Sequence, residues 1–89
     1  MYYTYVLYSA TFNKIYVGQT ADIYRRLETH NSIDNTGWTS HFQPWEIIFF
    51  EEFNSRTNAI KRENSLKTAR GRRFIWELVK NKLKAQALP

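Results

Sequence analysis

Residues 13–30, "NKIYVGQTADIYRRLETH", compress a strand, a turn and the start of a helix into one short stretch. The alternation in "KIYVG" puts Ile15 and Val17 on one face of a strand and Lys14, Tyr16 and Gly18 on the other. Gly18 closes the strand, and Thr20 or Asp22 supplies a side-chain oxygen able to cap a helix running to about His30 or Asn31. Two tyrosines, two adjacent arginines and a histidine crowd around a single glycine.

Working outward, "YYTYVLYS" (residues 2–9) is rich in the β-formers Tyr and Val and reads as a first strand. "ATFN" turns the chain so that "KIYVG" pairs back antiparallel. Residues 31–44 are turn-rich and read as a loop. "WEIIFFEEF" (45–53) is too apolar in its middle for an edge strand and is expected to be a buried one. Ser55 or Thr57 opens a second helix expected to run to about Arg70, with Gly71 as its stop. A last helix from about Arg72 to Lys84 presents Phe74, Ile75, Leu78 and Leu83 to the core. The order is ββαβαα, an α+β fold with a small three-stranded antiparallel sheet flanked by helices.

At 89 residues the chain is expected to form one domain. Its 43% hydrophobic and 17% aromatic content suits a packed core. There is no apolar run long enough for a membrane span, no signal-like N-terminus and no cysteine for a disulfide or thiolate site. A cytoplasmic location is the default expectation. The net charge of +5 is unevenly spread. Up to Phe53 three basic residues face six acidic ones, whereas from Asn54 onward ten basic residues face two acidic ones. A basic second half suggests an anionic partner, most often nucleic acid; a solvated helix surface is the plainer explanation.

Helix spacing separates residues that look alike. With Ile23 at zero on the first helix, Leu27 lies at roughly 40°, His30 at about 340° and Arg26 at about 300°. Arg25 and Glu28, at roughly 200° and 140°, point away. On the second helix, with Ile60 at zero, Ala59, Leu66 and Glu63 fall at about 260°, 240° and 300°, while Lys61, Arg62 and Ser65 point outward. A carboxylate directed inward is costly unless it is paired or binds a cation. A plain ion pair from Glu63 to Arg26 or Lys67 would satisfy it. With the inward arginine, histidine and strand tyrosines nearby, a functional site is the stronger reading. One carboxylate with waters can hold Mg²⁺, arginine's planar fork suits a phosphate, and Tyr or His can take a proton from water. A phenol would need metal or cationic neighbours to ionise near neutrality. Together these point towards phosphodiester hydrolysis.

At these positions the sequence resembles the GIY-YIG endonuclease family, in particular short stand-alone domains similar to the N-terminal nuclease domain of the bacterial excision-repair excinuclease. "YTY" (Tyr3–Tyr5) and "YVG" (Tyr16–Gly18) correspond to the two family triplets. An Arg eight residues after that Gly, a His or Tyr four later and a downstream helical Glu fall on Arg26, His30 and Glu63. The resemblance extends through "REN..LK" and "ARGRRFIWEL". It implies a catalytic set of Tyr5, Tyr16, Arg26, His30 and Glu63. Tyr16 would be base or water-orienting residue and Tyr5 a second cleft tyrosine. Arg26 would sit on the scissile phosphate, and His30 would assist proton transfer or position the phosphate. Glu63 would ligate a single Mg²⁺ or Mn²⁺. Which of Tyr5, Tyr16 and His30 takes the proton is left open. Gly18 would permit a tight turn or close approach of the nucleic-acid backbone, and Gln19 stands where similar repair nucleases often carry Lys. Gly18, Gln19, Arg26, Lys67, Arg70, Arg72 and Arg73 form the expected DNA-contacting set.

The triplet "YTY" keeps only the tyrosine of its family pattern, and the late family Asn has only Asn64 and Asn81 as candidate counterparts. Tyr2, Tyr8, Phe49, Phe50, Phe53 and Trp76 read as packing residues. Trp38, in the loop, could pack or stack on a base, and His41 reads as a surface residue. The expectation is a metal-dependent endonuclease acting on DNA, structured or branched DNA included. It would be a monomer with weak sequence specificity or a protein partner that delivers the target. The alternative is a nucleic-acid-binding module of the same fold with little or no turnover. A domain that only mediates protein contacts would leave the retained polar set unexplained.

Overall fold

The computed structural model describes residues 1–87, the side chains of 86 and 87 aside. Strand β1 (Tyr2–Ser9) turns at residues 10–13 into β2 (Lys14–Thr20). Asn13 closes that turn in the left-handed region at φ 53°, which Asn tolerates, and its Oδ1 accepts the Tyr8 hydroxyl at 3.0 Å. Helix α1 (Ile23–Asn31) follows, with Asp22 as its cap: the Asp22 carboxylate accepts the Arg25 N–H at 3.1 Å. A short 3₁₀ turn (Trp38–Phe42) interrupts what reads locally as loop. Strand β3 (Glu46–Phe53) and helices α2 (Arg56–Leu66) and α3 (Ala69–Ala87) complete the ββαβαα order.

The three strands are antiparallel in the order β2-β1-β3, so the sheet expected from the sequence is present with β1 in the middle. Residues 4–9 of β1 are all buried, because the central strand is covered on both faces and both edges. On one face Tyr5, Leu7, Ile23 and Trp45 form a core with Tyr16, Leu27 and Ile47 against it. On the other, Val6, Val17, Leu66 and Ile75 form a second core with Ile15, Ile48 and Phe49. Each fully buried Val or Leu side chain here contributes about 1.5–3 kcal/mol. The alternation read in β2 therefore holds, with Ile15 and Val17 on one layer and Tyr16 on the other.

Three expectations about elements are corrected. First, β3 is an edge strand. Its apolar run arises from an irregularity in pairing: Val6 faces Phe49 but Leu7 faces Ile47, so Ile48 is extra and packs on the same side as Phe49. Phe50 is 52% exposed rather than core. Second, α2 ends at Leu66, not near Arg70, and α3 begins at Ala69, not Arg72. Thr68 explains the break, since its hydroxyl accepts the Gly71 N–H at 3.1 Å and starts a new helix. Gly71 lies inside α3 and is no stop. A Cβ there would collide with the Ser65 carbonyl and the Leu66 Cα, so glycine lets α3 cross the last turn of α2. Third, the inward faces are shifted. On α2 the buried residues are Ala59 and Leu66, while Ile60 is exposed and Arg62, expected outside, is half-buried. The Arg62 Nε meets Glu51 Oε1 at 2.6 Å, and its guanidinium stacks over Phe74. On α3 the buried pair is Ile75 and Val79; Phe74, Trp76 and Leu83 are substantially exposed.

Candidate active site

The pairing register sets Tyr5 opposite Gly18 and Leu7 opposite Tyr16, so both tyrosines stand on the α1 face of the sheet. Gly18 has no positive φ and makes no special turn. Its missing side chain is what matters: a Cβ there would sit 2.6 Å from the Tyr5 hydroxyl and 3.1 Å from the Tyr16 ring. The expectation of a tight turn is thus replaced by a packing role, in which glycine clears the path of the Tyr5 phenol. That phenol meets His30 Nε2 at 3.1 Å. The Tyr16 and His30 ring centres are 4.7 Å apart, and those of Tyr5 and Tyr16 6.3 Å.

His30 comes from the last turn of α1, and the following loop fastens it. Its Nδ1 bonds Thr39 Oγ1 at 2.9 Å, and Asn35 Nδ2 donates to the same oxygen at 2.8 Å. The His30 carbonyl accepts from Gln43 Nε2 at 2.9 Å, and the Trp45 indole N–H donates to the Thr39 carbonyl at 2.8 Å. No motif or helix spacing marks Asn35, Thr39, Gln43 or Trp45 as site residues, and Trp45, expected in the third strand, precedes β3. Thr39 is buried within the 3₁₀ turn, a position no local pattern announces.

Burial, reinforced by neighbouring Tyr16 and by Glu63, pushes the Tyr5 phenol above its usual range against the opposing pull of Arg26. Burial and then Arg26 push His30 below its ordinary value. Both charges, Arg26 on α1 and Glu63 on α2, therefore act on the Tyr5–His30 unit. Arg26 itself is exposed, not inward as its helix angle suggested, because α1 turns only Ile23, Leu27 and His30 towards the sheet. It lines a surface depression with Arg25, Asp22, Thr20 and Thr29.

Tyr16, half-buried, opens on a separate cleft of about 260 Å³ that it shares with Trp38, Lys67 and Arg72. Its hydroxyl takes no side-chain hydrogen bond among the described residues. Trp38 is 52% exposed while resting on Phe42, with ring centres 4.7 Å apart. Of the other expected DNA contacts, Arg70 lies in a different groove beside Gly71 and Phe74, and Arg73 is exposed. Gln19 is half-buried, and its Oε1 is shielded without a hydrogen-bond partner among the described residues. His41 is exposed, as expected.

Glu63 is 18% exposed at its side chain and pairs with Lys67, Nζ to Oε2, at 2.6 Å. Its Oε1 takes no hydrogen bond among the described residues. Those residues contain no group of three His, Cys, Asp or Glu side chains that could cage a metal ion. A lone hard carboxylate oxygen fits Mg²⁺ or Mn²⁺ held through a single protein ligand and retained waters, and does not fit a metal that needs nitrogen or sulfur donors.

The family model of the GIY-YIG catalytic domain matches residues 1–85. The chain belongs to the GIY-YIG family. Among its relatives, a UPF0213 protein of Haloquadratum walsbyi is 30% identical over 67 residues, 75% of this chain and 74% of that one. One from Streptococcus agalactiae is 36% identical over 61 residues, 68% of each chain. The solution NMR structure of a UPF0213 protein from Bacillus halodurans superposes with a TM-score of 0.50 at 26% identity, covering 88% of this chain and 85% of the other. The GIY-YIG family is one of nucleases, so a nucleic-acid substrate and phosphodiester chemistry are its general province. No helix among the described residues of this GIY-YIG chain is long and apolar enough to cross a membrane.

Proposed function

We propose that this protein is an endonuclease that hydrolyses DNA phosphodiester bonds with the help of one divalent cation, Mg²⁺ or Mn²⁺. The observation that carries the reading is the Tyr5–His30 hydrogen bond, with the Tyr16 ring tilted against it and the charges of Arg26 and Glu63 acting on it.

Each residue has a distinct task. Tyr5 retains its proton at neutral pH, because burial opposes the phenolate. His30 stays neutral, with both ring nitrogens engaged, and so holds Tyr5 in place. Of the two tyrosines, Tyr16 is the one whose hydroxyl takes no side-chain hydrogen bond within the described residues, and Tyr16 lines a cleft. It is therefore the residue that orients or deprotonates the attacking water. Arg26 offers its fork to the scissile phosphate and to the charge that builds in the transition state. Glu63 would hold the cation, which neutralises phosphate charge and lowers the pKa of a bound water. Lys67 and Arg72 in the Tyr16 cleft supply positive charge for the DNA backbone.

The wider reading is a cytoplasmic monomer: a domain of this size has little surface for a long recognition site, so it would act with weak sequence specificity or through a protein partner that delivers the target, as in repair. A binding module without turnover is favoured by one observation, the Lys67–Glu63 pair, which engages a carboxylate oxygen that a cation would use. Plasmid nicking in Mg²⁺ or Mn²⁺ separates the two. Wild type should nick, with Tyr16→Phe and Glu63→Ala each losing about a hundredfold or more. Cleavage that survives both substitutions would overturn the site, and tight binding with no cleavage would establish the module.

A further inference from the structure

Lys67 stands between two neighbourhoods. Its ammonium sits on Glu63 Oε2 at 2.6 Å, and its side chain also lines the cleft of Tyr16, Trp38 and Arg72. The two partners differ in freedom. The Glu63 side chain is 18% exposed and the Lys67 side chain 47% exposed, so the carboxylate is held while the lysine stem can swing. The base of the stem is nevertheless fixed. The Lys67 N–H bonds the carbonyls of Glu63 and Asn64, and its own carbonyl accepts Arg72 Nε at 3.3 Å. Lys67 therefore stands at the end of α2 on a tethered backbone, with an anion on one side and the cleft of Tyr16 and Arg72 on the other.

The geometry points to Lys67 as an exchangeable counter-charge: it occupies Glu63 while no cation is bound and moves into the Tyr16 cleft, onto a DNA phosphate, when a divalent cation takes the carboxylate. This rests on the reading of Glu63 as the cation's ligand. Two charges on the cation outcompete one on the lysine, and a partly exposed ion pair is weak enough to be displaced. The β2 wall of the cleft (Ile15, Tyr16, Val17) carries no positive charge, so a released ammonium has a use beside Arg72. Lys67 is thus a positioning residue that couples cation binding to DNA binding, and the two ligands should reinforce one another.

The test measures Mn²⁺ binding to the DNA-free protein by electron paramagnetic resonance of free Mn²⁺. It compares wild type, Lys67→Met, Lys67→Arg and Glu63→Gln, with circular dichroism confirming the fold of each. Removing the competing ammonium should tighten Mn²⁺ binding about three- to fivefold in Lys67→Met and leave Lys67→Arg near wild type. In parallel, fluorescence anisotropy with a labelled oligonucleotide should show that Mn²⁺ strengthens DNA binding by wild type more than by Lys67→Met. Unchanged or weaker Mn²⁺ binding by Lys67→Met, with Glu63→Gln still impaired, would overturn the counter-charge role and leave Glu63 as ligand. Equal Mn²⁺ binding by wild type, Lys67→Met and Glu63→Gln would overturn the ligand assignment itself.

Discussion

The Tyr5 hydroxyl lies 3.1 Å from His30 Nε2, beside Gly18, where an added Cβ would sit 2.6 Å from that hydroxyl. Three elements meet there: the central strand supplies the phenol, the edge strand the glycine and α1 the imidazole. Burial keeps the phenol protonated and the imidazole neutral, so the pair is a rigid uncharged support beneath Tyr16.

Tyr5→Phe preserves the ring and removes the hydroxyl, leaving His30 Nε2 buried without a partner. Stability should fall by about 1–3 kcal/mol in urea unfolding. Nicking should fall with it, because Tyr16 loses its fixed neighbour. Gly18→Ala should produce a similar loss by pushing the phenol off His30; a variant as stable and active as wild type would contradict the importance of glycine there.

Stability should depend on pH through His30. Its folded-state pKa is depressed below the ordinary 6.5, so the unfolded chain binds a proton first as pH falls. The contribution is therefore present above pH 6.5 and is lost as pH drops from there through the folded value. In a His41→Gln background, the thermal midpoint should decline between pH 7.5 and about 5.5, and the further substitution His30→Gln should flatten that slope.

The adjacent arginines should behave differently despite their shared exposure. Arg26 lowers the pKa of His30, so Arg26→Ala should raise it in an NMR titration, whereas Arg25 is not among the causes of that shift. In nicking assays Arg26→Ala should lose about a hundredfold and Arg25→Ala little. Equal loss from both would reduce Arg26 to one more surface cation.

Gly71→Ala should cost about 1–3 kcal/mol, or more, because the new methyl meets α2 backbone rather than a side chain that can move aside. The measurement is again urea unfolding. As a contrast, Arg62→Ala removes a partly exposed ion pair with Glu51 and should cost about 1 kcal/mol or less, leaving nicking intact.

Much of the site was legible because it is written in short-range periods. The two-residue alternation placed Tyr16 opposite Ile15 and Val17, and helix spacing turned His30 inward, but the same spacing turned Arg26 inward with it, whereas Arg25 and Arg26 line one exposed depression. Spacing could not say how deeply each residue would sink. Arg26 stays exposed, and the inward arc of α2 is centred on Ala59 rather than Ile60, since the depth of a helix residue depends on which surface the helix meets. The grip of Thr39, Asn35 and Gln43 on His30 left no trace in the sequence, because hydroxyl and amide side chains in a loop carry no period.

By itself the sequence determined the strands, the ββαβαα order and the polar residue types at family spacing, all consequences of local sterics and side-chain periodicity, and it narrowed the N-caps of α1 and α2 to two residues each. Tertiary structure decided the rest. It put β1 between β2 and β3, made the apolar β3 an edge, split α2 from α3 at Thr68 and set Gly18 and Gly71 where neighbouring groups press closest. It also brought Lys67 onto Glu63 at the border of the Tyr16 cleft. The physical reason is range: turns and caps are settled among neighbours in the chain, whereas strand order and close approach arise only when distant segments compete for the same buried volume.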